Sequence, residues 1–149
     1  MACPAVSVCC VAGAASLASA EQTDIAIAAT HDGGRHWLTR SIDVSGVPGG
    51  PVIEANLYDI ACWSATSCMA VGDAYTNQDH GSVWTTADGG NTWISRGLPA
   101  SASELYAVTC VAPERCEVGG GSLKPLGTPL VLGTTNGGAT WQVQKIAPA

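Results

Sequence analysis

The sequence predicts an all-β protein of about three four-stranded antiparallel units in tandem, and three observations carry that expectation. A Thr-x-Asp/Asn-Gly-Gly-x-Thr/His-Trp segment occurs three times. A Cys-x5-Cys pair stands ahead of each copy. Charged residues are only 12% of the 149, with 18 Gly and many Thr, Ser and Ala in their place. That balance suits pleated strands and tight turns better than solvent-facing helices.

The three copies are Thr30-His31-Asp32-Gly33-Gly34-Arg35-His36-Trp37, Thr86-Ala87-Asp88-Gly89-Gly90-Asn91-Thr92-Trp93 and Thr134-Thr135-Asn136-Gly137-Gly138-Ala139-Thr140-Trp141. Their Trp residues are spaced by 56 and then 48 positions (37 to 93 to 141). Cys3 and Cys9, Cys62 and Cys68, and Cys110 and Cys116 are each six apart, and the following Thr comes 21, 18 and 18 positions later. Two features that keep register over three copies define a repeat. A period near 50 points to β-propeller blades or a related array, in which one unit cannot bury its apolar face alone.

Each unit divides into four short strands. In the second, residues 57–62, 68–72, 82–86 and 92–95 show alternation bounded by Gly, Asn and Asp, with a polar loop at 73–80. The third repeats this at 105–110, 116–119, 130–134 and 140–143. One repeat domain over 1–149 thus comprises unit one at 1–46, unit two at 52–98 and unit three at 103–146. Unit one starts just before Cys3, so its first strand is expected to be truncated. The Pro- and Gly-rich stretches at 47–51 and 97–99 are the expected turns between units. Residues 1–20 are apolar and end in small residues like a signal peptide, but lack its positive start. The repeat register places them instead in unit one.

Six Lys and Arg against 12 Asp and Glu give a formal charge of -6 with no basic run, which argues against a nucleic-acid partner. No apolar stretch is long enough for a transmembrane helix. In the turns, Asp32, Asp88 and Asn136 are expected to accept hydrogen bonds from their own backbone, and Gly34 and Gly90, like Gly138, to supply positive φ. The residue before each Trp (His36, Thr92, Thr140) closes the network, while Thr30, Thr86 and Thr134 open it. Trp37, Trp93 and Trp141 cover it. This role is structural.

The Cys pairs are expected to form hairpin disulfides, Cys3–Cys9, Cys62–Cys68 and Cys110–Cys116, leaving Cys10 as a free thiol. Reduced structural thiols are the alternative. The spacing is not that of zinc ligands, and His31, His36 and His80 form no ligand pattern, so no metal and no cofactor are expected. Disulfides imply an oxidising compartment, hence a secreted or extracytoplasmic protein. The acid-bearing loop at 73–80 is expected to be an ordinary solvated excursion rather than a calcium site. Trp63, on a Cys-loop tip, would need something to pack against or bind.

The turn pattern resembles the Asp-box, or bacterial neuraminidase repeat. With the Cys-x5-Cys and Ala-Val-Gly in front, the chain is similar to actinobacterial sialidase-like repeat proteins with paired cysteines. It resembles more loosely the photosystem II assembly factor family and the sortilin propeller. The resemblance covers essentially the whole chain and implies a propeller in which the boxes are rim turns remote from any active site. A sialidase would further imply an Arg trio, a Tyr–Glu nucleophile pair and an Asp acid. Arg35, Arg40, Arg96 and Arg115 match no such trio, and Tyr58, Tyr75 and Tyr106 show no Glu arrangement in the sequence.

No catalytic residue is therefore assigned. The expected function is a scaffold or binding module presenting loops to a protein or glycan partner. The alternative is a piece of a sialidase-like glycoside hydrolase with its catalytic groups outside this chain. Since propellers close with four to eight blades, about three blades imply a partial ring, or a homo-oligomer that completes one.

Overall fold

The computed structural model describes residues 1–14, 25–44, 47 and 51–146. Every regular element among them is a strand: β1 (Ala2–Ala5), β2 (Val8–Ala14), β3 (Ile25–Thr30), β4 (Leu38–Ile42), β5 (Glu54–Cys62), β6 (Cys68–Tyr75), β7 (Asp79–Thr86), β8 (Ile94–Arg96), β9 (Ala102–Ala112), β10 (Arg115–Leu123), β11 (Leu126–Thr134) and β12 (Gln142–Val143). They form three four-stranded sheets, each running in chain order from its first strand to its fourth. Every pairing is antiparallel. β1 has four residues where β5 has nine and β9 eleven.

The sheets stack face to face with two cores between them. Between sheets one and two lie Cys10, Ile25, Ile27, Leu57, Ile60, Ala70 and Trp84. Between two and three lie Met69, Val71, Val83, Leu105, Val118 and Leu132. Sheet two contributes to both, which is why β6 is buried at every position but its last. Trp84 is fully buried and fills the first core; truncating such a side chain to Ala costs about 3–5 kcal/mol. First strands converge as well, since β5 packs against both β1 and β9. Asp59 on β5 joins the last two sheets: its Oδ2 accepts the Val108 amide of β9 at 2.9 Å and its Oδ1 the Ile60 amide at 2.8 Å.

The strands outrun the expected limits. Asp73, Ala74 and Tyr75 extend β6, Asp79 and His80 open β7, and only residues 76–78 are left of the loop expected at 73–80. Asp73 is buried rather than solvated. Its neighbours across the ladder, Asn56 and Gly81, carry the pairing past the point where the sequence turns polar. Sheet three likewise continues through Gly119, Gly120 and Gly121, which pair on both sides. Of residues 1–20, positions 2–5 and 8–14 form strands of sheet one, while 15–20 lie outside the described residues. So do most of the 47–51 turn and the expected end of unit one at 46.

Candidate binding surface

The two loop types of one end are joined. Thr30, Thr86 and Thr134 end the third strand of each sheet and stand opposite Cys9, Cys68 and Cys116 on the second. Each Thr hydroxyl donates to the Asp or Asn Oδ1 two residues on, at 2.8, 2.8 and 3.0 Å. It accepts the amide of Gly34, Gly90 or Gly138 at 3.0, 3.0 and 2.9 Å. The same Oδ1 accepts the amide of His36, Thr92 or Thr140 at 3.0, 2.9 and 2.9 Å. The second side-chain atom of Asp32, Asp88 or Asn136 meets the side chain of that residue, at 2.6, 2.7 and 2.9 Å. Both glycines of each pair have φ between 64° and 89°. The first donates its amide to a Cys-loop carbonyl, from Ser7, Thr66 or Glu114, at 3.0, 2.8 and 2.9 Å. That last bond gives the physical reason the Cys pair and the turn keep register with each other.

Hydrogen bonds from the Thr92 hydroxyl and amide pull the Asp88 carboxyl down to about 2. The His36 amide and ring likewise hold the Asp32 carboxyl well below the usual carboxylate range. Trp93 and Trp141 are half-buried against the two cores, and Trp37 is more exposed. Trp63, expected on an open tip, packs against the second core. Its ring edge approaches Gly137 of the next turn.

Disulfides join Cys3 to Cys9, Cys62 to Cys68 and Cys110 to Cys116, with Cα–Cα distances of 4.0, 3.9 and 4.1 Å. In the chain-entropy account a loop this short contributes about 2 kcal/mol. Cys10 is a free, fully buried thiol whose pKa burial raises. Its Sγ lies within 4.8 Å of those of Cys62 and Cys68. With those two joined to each other, this is a thiol beside a disulfide and not a set of three thiolate ligands.

The other end presents different chemistry. Tyr58 on β5 and Tyr106 on β9 are exposed, with ring centroids 5.5 Å apart and planes at 48°. Each is the extra residue of a β-bulge: Leu57 and Asp59 face the adjacent residues Gly72 and Val71, and Leu105 and Ala107 face Gly120 and Gly119. A bulge re-aims a side chain out of the alternation. Gly72 and Gly120 permit it, since a Cβ there would lie 1.8 Å from the Asn56 carbonyl oxygen or 2.0 Å from that of Glu104.

Carboxylates surround the two rings. The Tyr58 hydroxyl donates to Asp73 Oδ2 at 3.4 Å, and the Tyr106 hydroxyl donates to Glu104 Oε2. Asp73 is 7% exposed, and its Oδ1 meets no donor among the described residues. Asn56, opposite Asp73 on the ladder, donates its amide to Glu54 at 3.3 Å and also acts on the Asp73 carboxyl. Burial raises the Asp73 pKa, with Glu104 and Asp79 pushing the same way and the Asn56 and Tyr58 side chains opposing it. The Glu104 carboxylate holds the Tyr106 proton, lifting its pKa to about 12. Tyr–carboxylate pairs that the sequence did not reveal thus exist, tuned to keep the phenol protonated.

A cavity of about 360 Å³ opens beside Tyr106, lined by Glu104, Asp79, Ser103 and Gly121 among others. A second, of about 390 Å³, lies between the β6–β7 loop and the β8–β9 connection, where His80, Arg96, Leu98 and Pro99 meet. The sequence did carry a trace of the bulges. Leu57 and Ile60, like Leu105 and Val108, are buried three apart, where strict alternation would put buried residues two apart.

No protein-family model matches the chain, and no curated protein matches it. Among solved structures it is similar to YCF48 bound to D1 peptide, a photosystem II assembly factor and β-propeller, with a TM-score of 0.55 at 13% identity. That match covers 95% of this chain and 44% of the other, so the chain spans less than half of its structural neighbour. At that identity the likeness is one of fold. No helix among the described residues is long and apolar enough to cross a membrane.

Proposed function

We propose that this chain is a non-catalytic, propeller-type module that binds a segment of a protein partner on the surface around Tyr58 and Tyr106. The observation that carries the proposal is the pair of equivalent bulges. Both sheets break their ladders to turn a Tyr outward, and both depend on a glycine that accepts no side chain. An exposed aromatic pair is expensive unless covered, and Tyr is favoured at recognition surfaces for its large, stiff contact area. The fold neighbour, itself solved with a peptide, supports a protein partner over a glycan.

In this reading the turns at 30–37, 86–93 and 134–141 are Asp-box rim turns that hold the blades, with Cys3–Cys9, Cys62–Cys68 and Cys110–Cys116 pinning the hairpins beside them. Three disulfides of this kind belong to an oxidising compartment, so the module works outside the cytoplasm.

Display of a random peptide library against the oxidised chain tests the proposal. Selected peptides are expected to lose binding on Y58A/Y106A, with the thermal midpoint preserved. Peptides indifferent to that change would place the function elsewhere. Hydrolysis of a chromogenic sialoside that is lost with one acidic residue would favour the glycosidase alternative.

A further inference from the structure

We propose that the Tyr58–Tyr106 pair and the Asp73 carboxylate behind it form a subsite for one basic side chain, lysine or arginine, of an extended protein segment. This rests on the binding reading above and names the chemistry of what is bound.

Charge comes first. The charged groups that act on Tyr58, Tyr106 and Asp73 are the carboxylates Glu54, Asp73, Asp79 and Glu104. A surface of one sign favours a partner of the other and rejects like charge. The second observation is independent of that count. Asp73 is more than nine-tenths buried, and its Oδ1 meets no donor in good geometry among the described residues, an arrangement that is costly unless something donates to it. Its other oxygen touches the Tyr58 hydroxyl, which places the carboxyl directly behind the aromatic pair. Oδ1 itself is closed off from solvent, so a donor that comes over the rings meets it only as the side chains above it shift.

The rings decide between a metal ion and an organic cation. Among the described residues the only group of three potential ligand atoms close enough to share one ion is Cys10, Cys62 and Cys68, at the far end. No three of these carboxylates thus come close enough together to share one ion. They suit a cation that spreads over several ångströms and has an apolar stem. Two Tyr faces at 48° to each other match such a group, because an ammonium or guanidinium over a Tyr face is attracted by the ring quadrupole. The stem of Lys or Arg would cover the exposed ring carbon while its head meets the carboxylates.

Titration calorimetry of the oxidised chain with tetralysine, tetraarginine and tetraglutamine tests this. The basic peptides are expected to bind, and tetraglutamine at least tenfold more weakly. Y58A/Y106A and, separately, Asp73→Asn are each expected to weaken the basic peptides about tenfold or more. Glu114→Gln, an equal change of charge at the other end, is expected to leave them within twofold. Equal losses for Asp73→Asn and Glu114→Gln would reduce the effect to net charge and overturn the subsite. If Asp73→Asn does not fold, the Tyr variant decides alone. Library-selected neutral peptides that need the Tyr pair, with no binding of the basic ones, would overturn the basic subsite and leave the binding module standing. No Tyr-dependent peptide of any kind would remove both.

Discussion

At the scale of single residues, the same turn is built twice with Asp and once with Asn, which separates geometry from charge. Asn136 reproduces the bonds of Asp88 with an amide in place of one carboxylate oxygen. Only the Asp turns can respond to pH. The Asp88 pKa is held below its ordinary 3.8, at about 2. A depressed carboxyl contributes stability that is complete above the unfolded pKa and is lost as pH falls through the folded one. The window is therefore pH 3.8 down to about 2. Asp88→Asn is expected to keep the fold and to flatten the acid limb there by at most about one proton of linkage slope. Solvent screening at this exposed turn keeps the effect small. Denaturant midpoints by Trp fluorescence between pH 2 and 5 would show it; an unchanged limb would mean that Asp88 does not set it. A second residue-scale expectation concerns Cys10. The native oxidised chain should present almost no reactive thiol, and one per chain after unfolding, by aromatic disulfide titration. Fast labelling of the native protein would mean that the first core opens.

At the scale of elements, how much the sequence revealed depends on whether a feature is local. The hairpin turns were legible because their side-chain bonds all lie within four residues and the pattern recurs. The buried carboxyls were not, and the bulges left only the three-residue spacing of Leu57 and Ile60 and of Leu105 and Val108. Asp73 looked like the start of a solvated loop because its burial comes from strands distant in sequence, and Asp59 looked like any polar strand residue. Its worth lies in a bond to Val108, 49 positions away. Asp59→Ala would leave that amide without its acceptor, at a cost of about 1–3 kcal/mol, in contrast to a change at the exposed Glu54, expected within about 0.5 kcal/mol. Gly120→Ala is expected to destabilise by a similar or larger amount, because the new Cβ meets backbone that cannot yield without undoing the Tyr106 bulge. Chemical denaturation of the three variants checks both claims. A Gly120→Ala protein as stable as the parent would show that the bulge is dispensable.

At the scale of the whole molecule, the sheets are equivalent but their surroundings are not. Met69, Val71 and Val83 on sheet two are completely buried because sheet three covers them. The matching positions of sheet three are Glu117, Gly119 and Val131, one ladder step for step with the other. They line an open hollow of about 240 Å³ with Ala107 and Thr109. At the opposite end of the stack, Val11 and Ala28 of sheet one are only partly covered. In this repeat the natural occupant of one such face is another sheet of the same kind. A second copy, offering its sheet one to this sheet three, would bury both faces. Light scattering of the oxidised chain is expected to give a multiple of 15.0 kDa, and Gly119→Arg, a bulky charge in the hollow, to return it to a single-chain mass with the thermal midpoint lowered. Apart from Glu117 the side chains of this face are small or apolar, and Gly119 and Ala107 leave room for knobs from a partner sheet. A parent protein that stays at single-chain mass across the micromolar range would mean that copies of this chain do not cover the face.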